Sequence, residues 1–221
     1  MTLEEAIAKI KPLDHNAMEI AQKRWDSIAK PLHSLGKLET LLIQIAGITG
    51  NAEVDLSRRG LIAMCADNGV VEEGVTQTGQ EVTAIVAENF LKYDTSVGVM
   101  CKQNHAEIFP VDMGMVTDTK VRTDHKIAYG TQNMTKGPAM TREQAVKGLE
   151  AGIDMVRELN DKGYRILATG EMGIGNTTTS SAVASVLLKQ PVEEMTGRGA
   201  GLTSEGLVRK INAIKKGHCI K

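Results

Sequence analysis

Three short apolar runs, each ending in a polar or glycine-containing turn, constrain the fold of this chain more than any other feature. They are "GLIAMCA" from Gly60, "AEIFPV" from Ala106 and "YRILATG" from Tyr164. Longer segments with apolar residues at helical spacing lie between and after them, which predicts alternating strands and helices. Such alternation is typical of a parallel sheet covered by helices on both faces, so the sequence predicts an α/β fold.

The ends of the three predicted strands carry the polar residues. Asp67 and Asp112 follow the first two runs, and "GEMG" from Gly170 follows the third. Ligands of parallel α/β sheets bind beyond the carboxyl ends of the strands, so we expect all three turns to face one crevice. There the aspartates would either bind ribose hydroxyls or cap their own loops. Pro110 disfavours a regular central position for the second strand.

The chain divides by pattern into two regions. Residues 1–55 contain helix-like segments separated by Pro12 and Asp14, and by a turn around Gly36, which predicts helices of a small subdomain. Residues 56–221 contain the strand-turn-helix pattern and are predicted to form a nucleotide-binding domain. Within it, Thr141 is suited to cap a long helix at its N-terminus.

Composition excludes several classes of function. The formal net charge is -1 and aromatic residues make up 3% of the chain, so neither a basic surface nor a set of stacking rings favours nucleic-acid binding. No apolar run has the length of a membrane span. The three cysteines are far apart and odd in number, which favours neither a disulfide framework nor a metal site. We therefore expect a cytoplasmic protein.

The segment "GEMGIGNTTTSSA" from Gly170 has the composition of a phosphate-binding turn. Gly173 and Gly175 allow the backbone to approach a ligand, and Asn176 is suited to the N-cap of the helix that follows. Thr177 lies in the first turn, where free N–H groups and the helix dipole favour an anion. The alternative is a tight, well-capped connection without a ligand.

Two further positions bear on that interpretation. Glu171 would repel a phosphate, so we expect it to accept a hydrogen bond from another part of the ligand or to act as a base, unless it is merely solvated or a capping residue. The loop "GRGAG" from Gly197 leads to a helix carrying Arg209 and Lys210. A lysine there would meet phosphate as a point charge, although a basic pair on a helix is more commonly solvated.

The chain resembles a known enzyme family along almost its whole length. The resemblance rests on "RWDSIAKPLHSLGKLETLLIQIAGI", "MCADNGVVEEGVTQTGQEVTAIVAENFL", "FPVDMGM", "GPAMTREQA", "GEMGIGNTTTSSAVAS" and "GRGAGLTSEGLVRK", in that order. These segments are similar to the nicotinate-nucleotide–dimethylbenzimidazole phosphoribosyltransferase family, which assembles the lower ligand of cobalamin. That family transfers phosphoribosyl from nicotinate mononucleotide to a benzimidazole-type base, giving α-ribazole 5′-phosphate and nicotinate.

The resemblance also implies a fold, an assembly and a set of site residues. It implies a parallel Rossmann-like sheet with a small helical subdomain, commonly as a homodimer, and no metal or redox cofactor. Glu171 would border the aromatic base, and it is the candidate catalytic residue of this chain. The phosphate and nucleotide would be held by Gly173, Gly175, Asn176, Thr177 and Lys210, and the aromatic base by Thr78, Glu81 and Met172.

The resemblance has one departure. In the family, the general base is a glutamate near the C-terminus, in a segment resembling "GEGTGA", whereas no glutamate follows Glu205 here. Three interpretations follow: a fragment of an enzyme, a module that binds nucleotide or aromatic base without turnover, or an enzyme that uses Glu171 as substitute base. The first is favoured and predicts that the 221-residue chain alone is poorly soluble or partly unfolded.

Overall fold

The computed structural model describes residues 1–220. They form two compact units, one from Met1 to Ser57 and one that begins at Arg58. The first unit contains three helices, α1 (Leu3–Ala8), α2 (His15–Ser27) and α3 (Lys37–Thr49). The Asp14 carboxylate caps α2 by accepting a hydrogen bond from the Ala17 amide at 2.9 Å. Gly47 lets α3 approach α2 closely, because a methyl group there would lie 2.7 Å from the Met18 side chain.

The second unit is a parallel α/β fold, as the strand-turn-helix pattern predicts. Its three strands are all parallel and lie in the order β2-β1-β3. The elements are β1 (Arg59–Ala66), a 3₁₀ helix (Gly69–Glu73), α4 (Glu81–Lys92), α5 (Ser96–Gln103), β2 (Ala106–Gly114), α6 (Arg142–Asp161), β3 (Ile166–Met172), α7 (Asn176–Leu187), α8 (Val192–Met195) and α9 (Ser204–His218).

Helices cover both faces of this sheet. Successive side chains of a strand point to opposite faces, so Ile62 and Ala63 enter different clusters. Ala63 packs with Phe90 of α4 and with neighbouring residues of α5, and Ile62 packs with Met155 and Leu159 of α6. The near-continuous apolar character of β1 follows from this burial on two sides.

Some elements of the structure agree with their sequence patterns and others differ from them. Pro110 lies in β2, which is an edge strand, so its missing N–H interrupts no ladder on the far side. Thr141 caps α6 in a reciprocal capping box with Gln144, as predicted for this N-cap. Strand β3 ends at Met172, later than the apolar run suggests, and therefore contains Glu171. Within residues 1–220, none of the helices combines the length and apolarity required to cross a bilayer.

The packing of α6 on the sheet predicts a large effect for one core substitution. Met155 is 1% exposed, and Met155→Ala should lower the free energy of unfolding by about 2–5 kcal/mol because it leaves a cavity. Urea unfolding followed by circular dichroism measures this loss. Val156, the next residue, is 47% exposed, so Val156→Ala should change stability by no more than about 0.5 kcal/mol. Equal losses in the two variants would contradict the orientation of α6.

Candidate phosphate-binding site

The turn between β3 and α7 depends on two glycines that larger residues cannot replace without strain. A Cβ added at Gly173 would overlap the carbonyl oxygen of Ala66 at the end of β1. Gly175 is the N-cap of α7 and has φ +90°, a left-handed conformation that side chains disfavour. The prediction that Asn176 caps the helix was wrong, because Asn176 is the first helical residue and its amide group donates to the Glu171 carboxylate.

Two side chains from other elements fix the peptide groups of Ile174 inside this turn. The Thr83 hydroxyl of α4 accepts a hydrogen bond from the Ile174 amide at 3.0 Å. The Asn68 side-chain amide donates to the Ile174 carbonyl at 3.1 Å, and its oxygen accepts from the Thr179 hydroxyl of α7 at 3.2 Å. The turn is therefore held from the end of β1, from α4 and from α7 at once. Sequence reasoning missed this role of Thr83 and Asn68, because the partners are distant along the chain.

Lys210 lies buried beside the first turn of α7. Only 1% of its surface is exposed, which excludes the alternative of a solvated lysine on a helix face. Its Nζ donates to the Thr177 hydroxyl at 2.7 Å and to the Gly197 carbonyl at 3.1 Å. Among residues 1–220 no carboxylate forms an ion pair with this ammonium. Burial lowers the pKa of Lys210, because the charged form loses water that no negative group replaces.

The start of α7 also offers one backbone amide, that of Thr177, to an anion. The amides of Asn176 and Thr178 donate to the carbonyls of Gly173 and Gly175 at 3.0 Å and 2.9 Å. The Thr177 amide has no backbone acceptor among the described residues. Since the positive end of the helix dipole and the Lys210 ammonium meet at this point, the arrangement is suited to a phosphate.

A cavity of about 200 Å³ opens directly onto this turn. Six of the residues singled out in the sequence line it: Thr78, Met172, Gly173, Gly175, Asn176 and Thr177. Lys210 and Glu171 do not line the cavity themselves. Lys210 is hydrogen-bonded to the lining residue Thr177, and Glu171 is hydrogen-bonded to the lining residue Asn176. Glu81 is not among the lining residues, which also include Gln77 and Arg198, two positions that sequence reasoning did not select.

Glu171 is an exposed carboxylate whose pKa is shifted in the direction expected of a base. Its side chain remains accessible to solvent, but desolvation by the surrounding atoms raises its pKa, and the hydrogen bond from Asn176 offsets only part of that effect. A carboxylate with a raised pKa accepts a proton more readily near neutral pH. Its position next to Asn176 places it at the edge of the phosphate cradle rather than inside it.

Asp67 and Asp112 serve the loops and not the cavity. Both are fully buried, which excludes them from the expected common crevice. The Asp67 carboxylate accepts from the Val116 amide at 2.8 Å, and Asp112 accepts from the Gly114 amide at 2.9 Å. Lys126 forms an ion pair with Asp112 at 3.1 Å. Of the two roles left open by the sequence, Asp112 has the loop-capping role. Asp67 has neither, because its carboxylate binds the segment that follows β2 and not its own loop.

A second cavity, of about 220 Å³, lies beside the carboxyl end of β2. Its walls are neutral, with Met113, Ile127 and Met140 among them. Lys210 and the glycine turn lie beside the cavity of about 200 Å³, so that cavity is the candidate site. Among residues 1–220 there is no group of three or more histidine, cysteine or acidic side chains arranged to hold a metal ion.

Comparison with known proteins identifies the family. A family model described as phosphoribosyltransferase, DBI_PRT, matches residues 10–221. The chain belongs to this family. The match includes the glycine turn, the cavity and Lys210.

Relatives and solved structures agree with this family. A nicotinate-nucleotide–dimethylbenzimidazole phosphoribosyltransferase of Ruminiclostridium cellulolyticum is 51% identical over 217 residues, 97% of this chain and 62% of the relative. The enzyme of the same name from Clostridium tetani is 46% identical over 216 residues, 97% of this chain and 60% of that relative. The crystal structure of CobT from Thermus thermophilus matches with a TM-score of 0.84 and 36% identity, covering 91% of this chain and 61% of that one. The chain thus spans less than two thirds of the length of these relatives.

The crowding at Gly173 predicts a specific loss of anion binding. Gly173→Ala should weaken binding of ribose 5-phosphate at least tenfold, equivalent to about 1.4 kcal/mol, because the turn must shift away from Ala66. Isothermal titration calorimetry measures the change. Gly152→Ala in α6 is the matched control, since nothing lies within 4 Å of a methyl group there. Unchanged affinity in Gly173→Ala would show that this turn does not hold the phosphate.

Proposed function

We propose that the chain carries the phosphoribosyl-binding part of a nicotinate-nucleotide–dimethylbenzimidazole phosphoribosyltransferase. The observation that supports this most strongly is the buried Lys210 ammonium, which donates to Thr177 at the start of α7 and has no carboxylate partner among the described residues. An anion bound there would restore the interactions that burial removes. The names of the relatives supply the substrates, nicotinate mononucleotide and a benzimidazole-type base.

In the proposed reaction the protein acts chiefly by positioning. The 5′-phosphate binds at Gly173, Gly175, Asn176 and Thr177 with Lys210, which fixes the ribose relative to the sheet. The acceptor base then lies against Met172 and Thr78, which line the same cavity. Glu81, at the start of α4, is the third residue proposed for the base.

The covalent step exchanges one C–N bond for another. A nitrogen of the benzimidazole attacks C1′ of the ribose, and the bond from C1′ to the nicotinate nitrogen breaks. The electron pair of that bond returns to the pyridine nitrogen and removes its positive charge. The attacking base must lose the proton on its other nitrogen, and Glu171 is the carboxylate proposed to accept it.

The same proposal includes a cytoplasmic homodimer. The three cysteines of the described chain, Cys65, Cys101 and Cys219, are free thiols, which agrees with a reducing compartment. Dimer formation comes from the family resemblance alone. A module that binds the nucleotide or the base without reacting them is the second candidate, because Glu171 is not among the residues that line the cavity.

Turnover distinguishes the two candidates. The chain is mixed with nicotinate mononucleotide and 5,6-dimethylbenzimidazole, and released nicotinate is followed by chromatography. With Glu171 as base, the rate should rise with pH through a pKa above the usual glutamate range, because the raised pKa keeps the carboxyl protonated at lower pH. Glu171→Gln should lower the rate about 100- to 10,000-fold.

Binding without release of nicotinate would support the module instead. Glu193→Gln is the matched control, because Glu193 lies on α8 and pairs with Lys215 away from the cavity. Equal loss of activity in both glutamine variants would contradict a chemical role for Glu171.

A further inference from the structure

Arg198 is the one charged residue among the described residues that line the candidate cavity. Lys210 adds a second cation, which reaches the wall through Thr177. Within the described part of the chain, no acidic residue is among the lining residues. Two cations and no acidic residue at this wall favour an anionic ligand.

The charged groups of Lys210 and Arg198 contact different parts of the structure. Lys210 donates to the carbonyl of Gly197, the residue immediately before Arg198, so its ammonium lies on the α7 side of the loop. The Arg198 guanidinium is directed the other way: it donates to the Leu202 carbonyl at 2.8 Å and to the Ser204 hydroxyl at 3.1 Å, at the start of α9. The charged groups of Lys210 and Arg198 therefore point in different directions from the same loop. This arrangement is suited to two separate anionic groups.

Arg198 retains the capacity to bind a carboxylate. A guanidinium has five N–H donors, of which these two contacts use two. Within the described residues Arg198 forms no ion pair, although its charge is the last of several causes that lower the pKa of Glu205. The planar donor fork of arginine matches a carboxylate in a bidentate geometry that lysine does not provide.

The loop that carries Arg198 is tied to another segment that lines the cavity. The Gln77 side-chain amide donates to the Gly201 carbonyl at 2.6 Å, and Gln77 and Arg198 both line the cavity. Gly199 approaches Thr177 so closely that an added methyl group would lie 2.7 Å from its hydroxyl oxygen. These contacts restrict the movement of the loop that carries Arg198 relative to the α7 turn.

We propose that Arg198 is a specificity-determining residue that binds the carboxylate on the pyridine ring of nicotinate mononucleotide. This inference rests on the proposed function. Lys210 and the α7 turn bind the phosphate, and Arg198 binds the second anion at the other end of the nucleotide. The chain then distinguishes the nicotinate nucleotide from the nicotinamide nucleotide, whose ring carries a neutral amide. Losing one charge-assisted contact corresponds to roughly a 10- to 100-fold change in affinity.

Calorimetric titrations of the full chain with three ligands test this. The ligands are nicotinate mononucleotide, nicotinamide mononucleotide and ribose 5-phosphate. Arg198→Ala should weaken binding of the nicotinate nucleotide roughly 10- to 100-fold. It should leave the other two affinities within about twofold. Arg198→Lys should restore part of the lost affinity, since it keeps the charge but not the fork. Arg157→Ala, on the exposed face of α6, is the control for loss of one positive charge.

The outcomes distinguish failure of the Arg198 inference from failure of the proposed function. Equal weakening of all three ligands by Arg198→Ala would show that Arg198 serves the phosphate or the loop, and would overturn the inference alone. Unchanged affinity for the nicotinate nucleotide would also overturn it. If the wild-type chain binds none of the three ligands, the proposed function fails and this inference fails with it.

Discussion

The hydrogen bond from Lys210 to Thr177 is the interaction on which the rest of the site depends. It places an ammonium group, almost fully removed from water, against the first turn of α7. A buried charge without an opposite partner is costly, and a protein retains one where a ligand supplies the missing charge. The glycine turn, the direction of α7 and the loop from Gly197 are all arranged around this group.

The sheet explains why these parts meet. Strands β1 and β3 are parallel neighbours, so the ends of both strands lie at the same edge. Asn68, just beyond β1, can therefore bind the Ile174 carbonyl just beyond β3, although 106 residues separate them. Thr83 of α4 binds the amide of the same residue. The conformation of the phosphate-binding turn is thus a tertiary property and does not belong to the local sequence alone.

This distinction separates what the sequence predicted from what it could not. The alternation of strands and helices, the edge position of β2 and the capping of α6 follow from local rules of periodicity, proline chemistry and hydrogen bonding. The burial of Lys210 does not follow from such local rules. The helical pattern of α9 does not indicate which other element covers this residue. The carboxylates of Asp67 and Asp112 show the same limit. Asp67 directly follows β1 as predicted, whereas Asp112 lies inside β2. Only the fold decides that both carboxylates bind backbone amides and do not face the cavity.

Binding of ribose 5-phosphate to the wild-type chain and to Lys210→Met tests the central claim most directly. Methionine keeps much of the length and the apolar packing of the lysine and removes the charge. The account predicts that wild-type protein binds ribose 5-phosphate, does not bind ribose, and loses affinity roughly 10- to 100-fold in the variant, while its circular dichroism spectrum is retained. Equal affinity of a folded Lys210→Met protein for ribose 5-phosphate would contradict the assignment of this site to a phosphate.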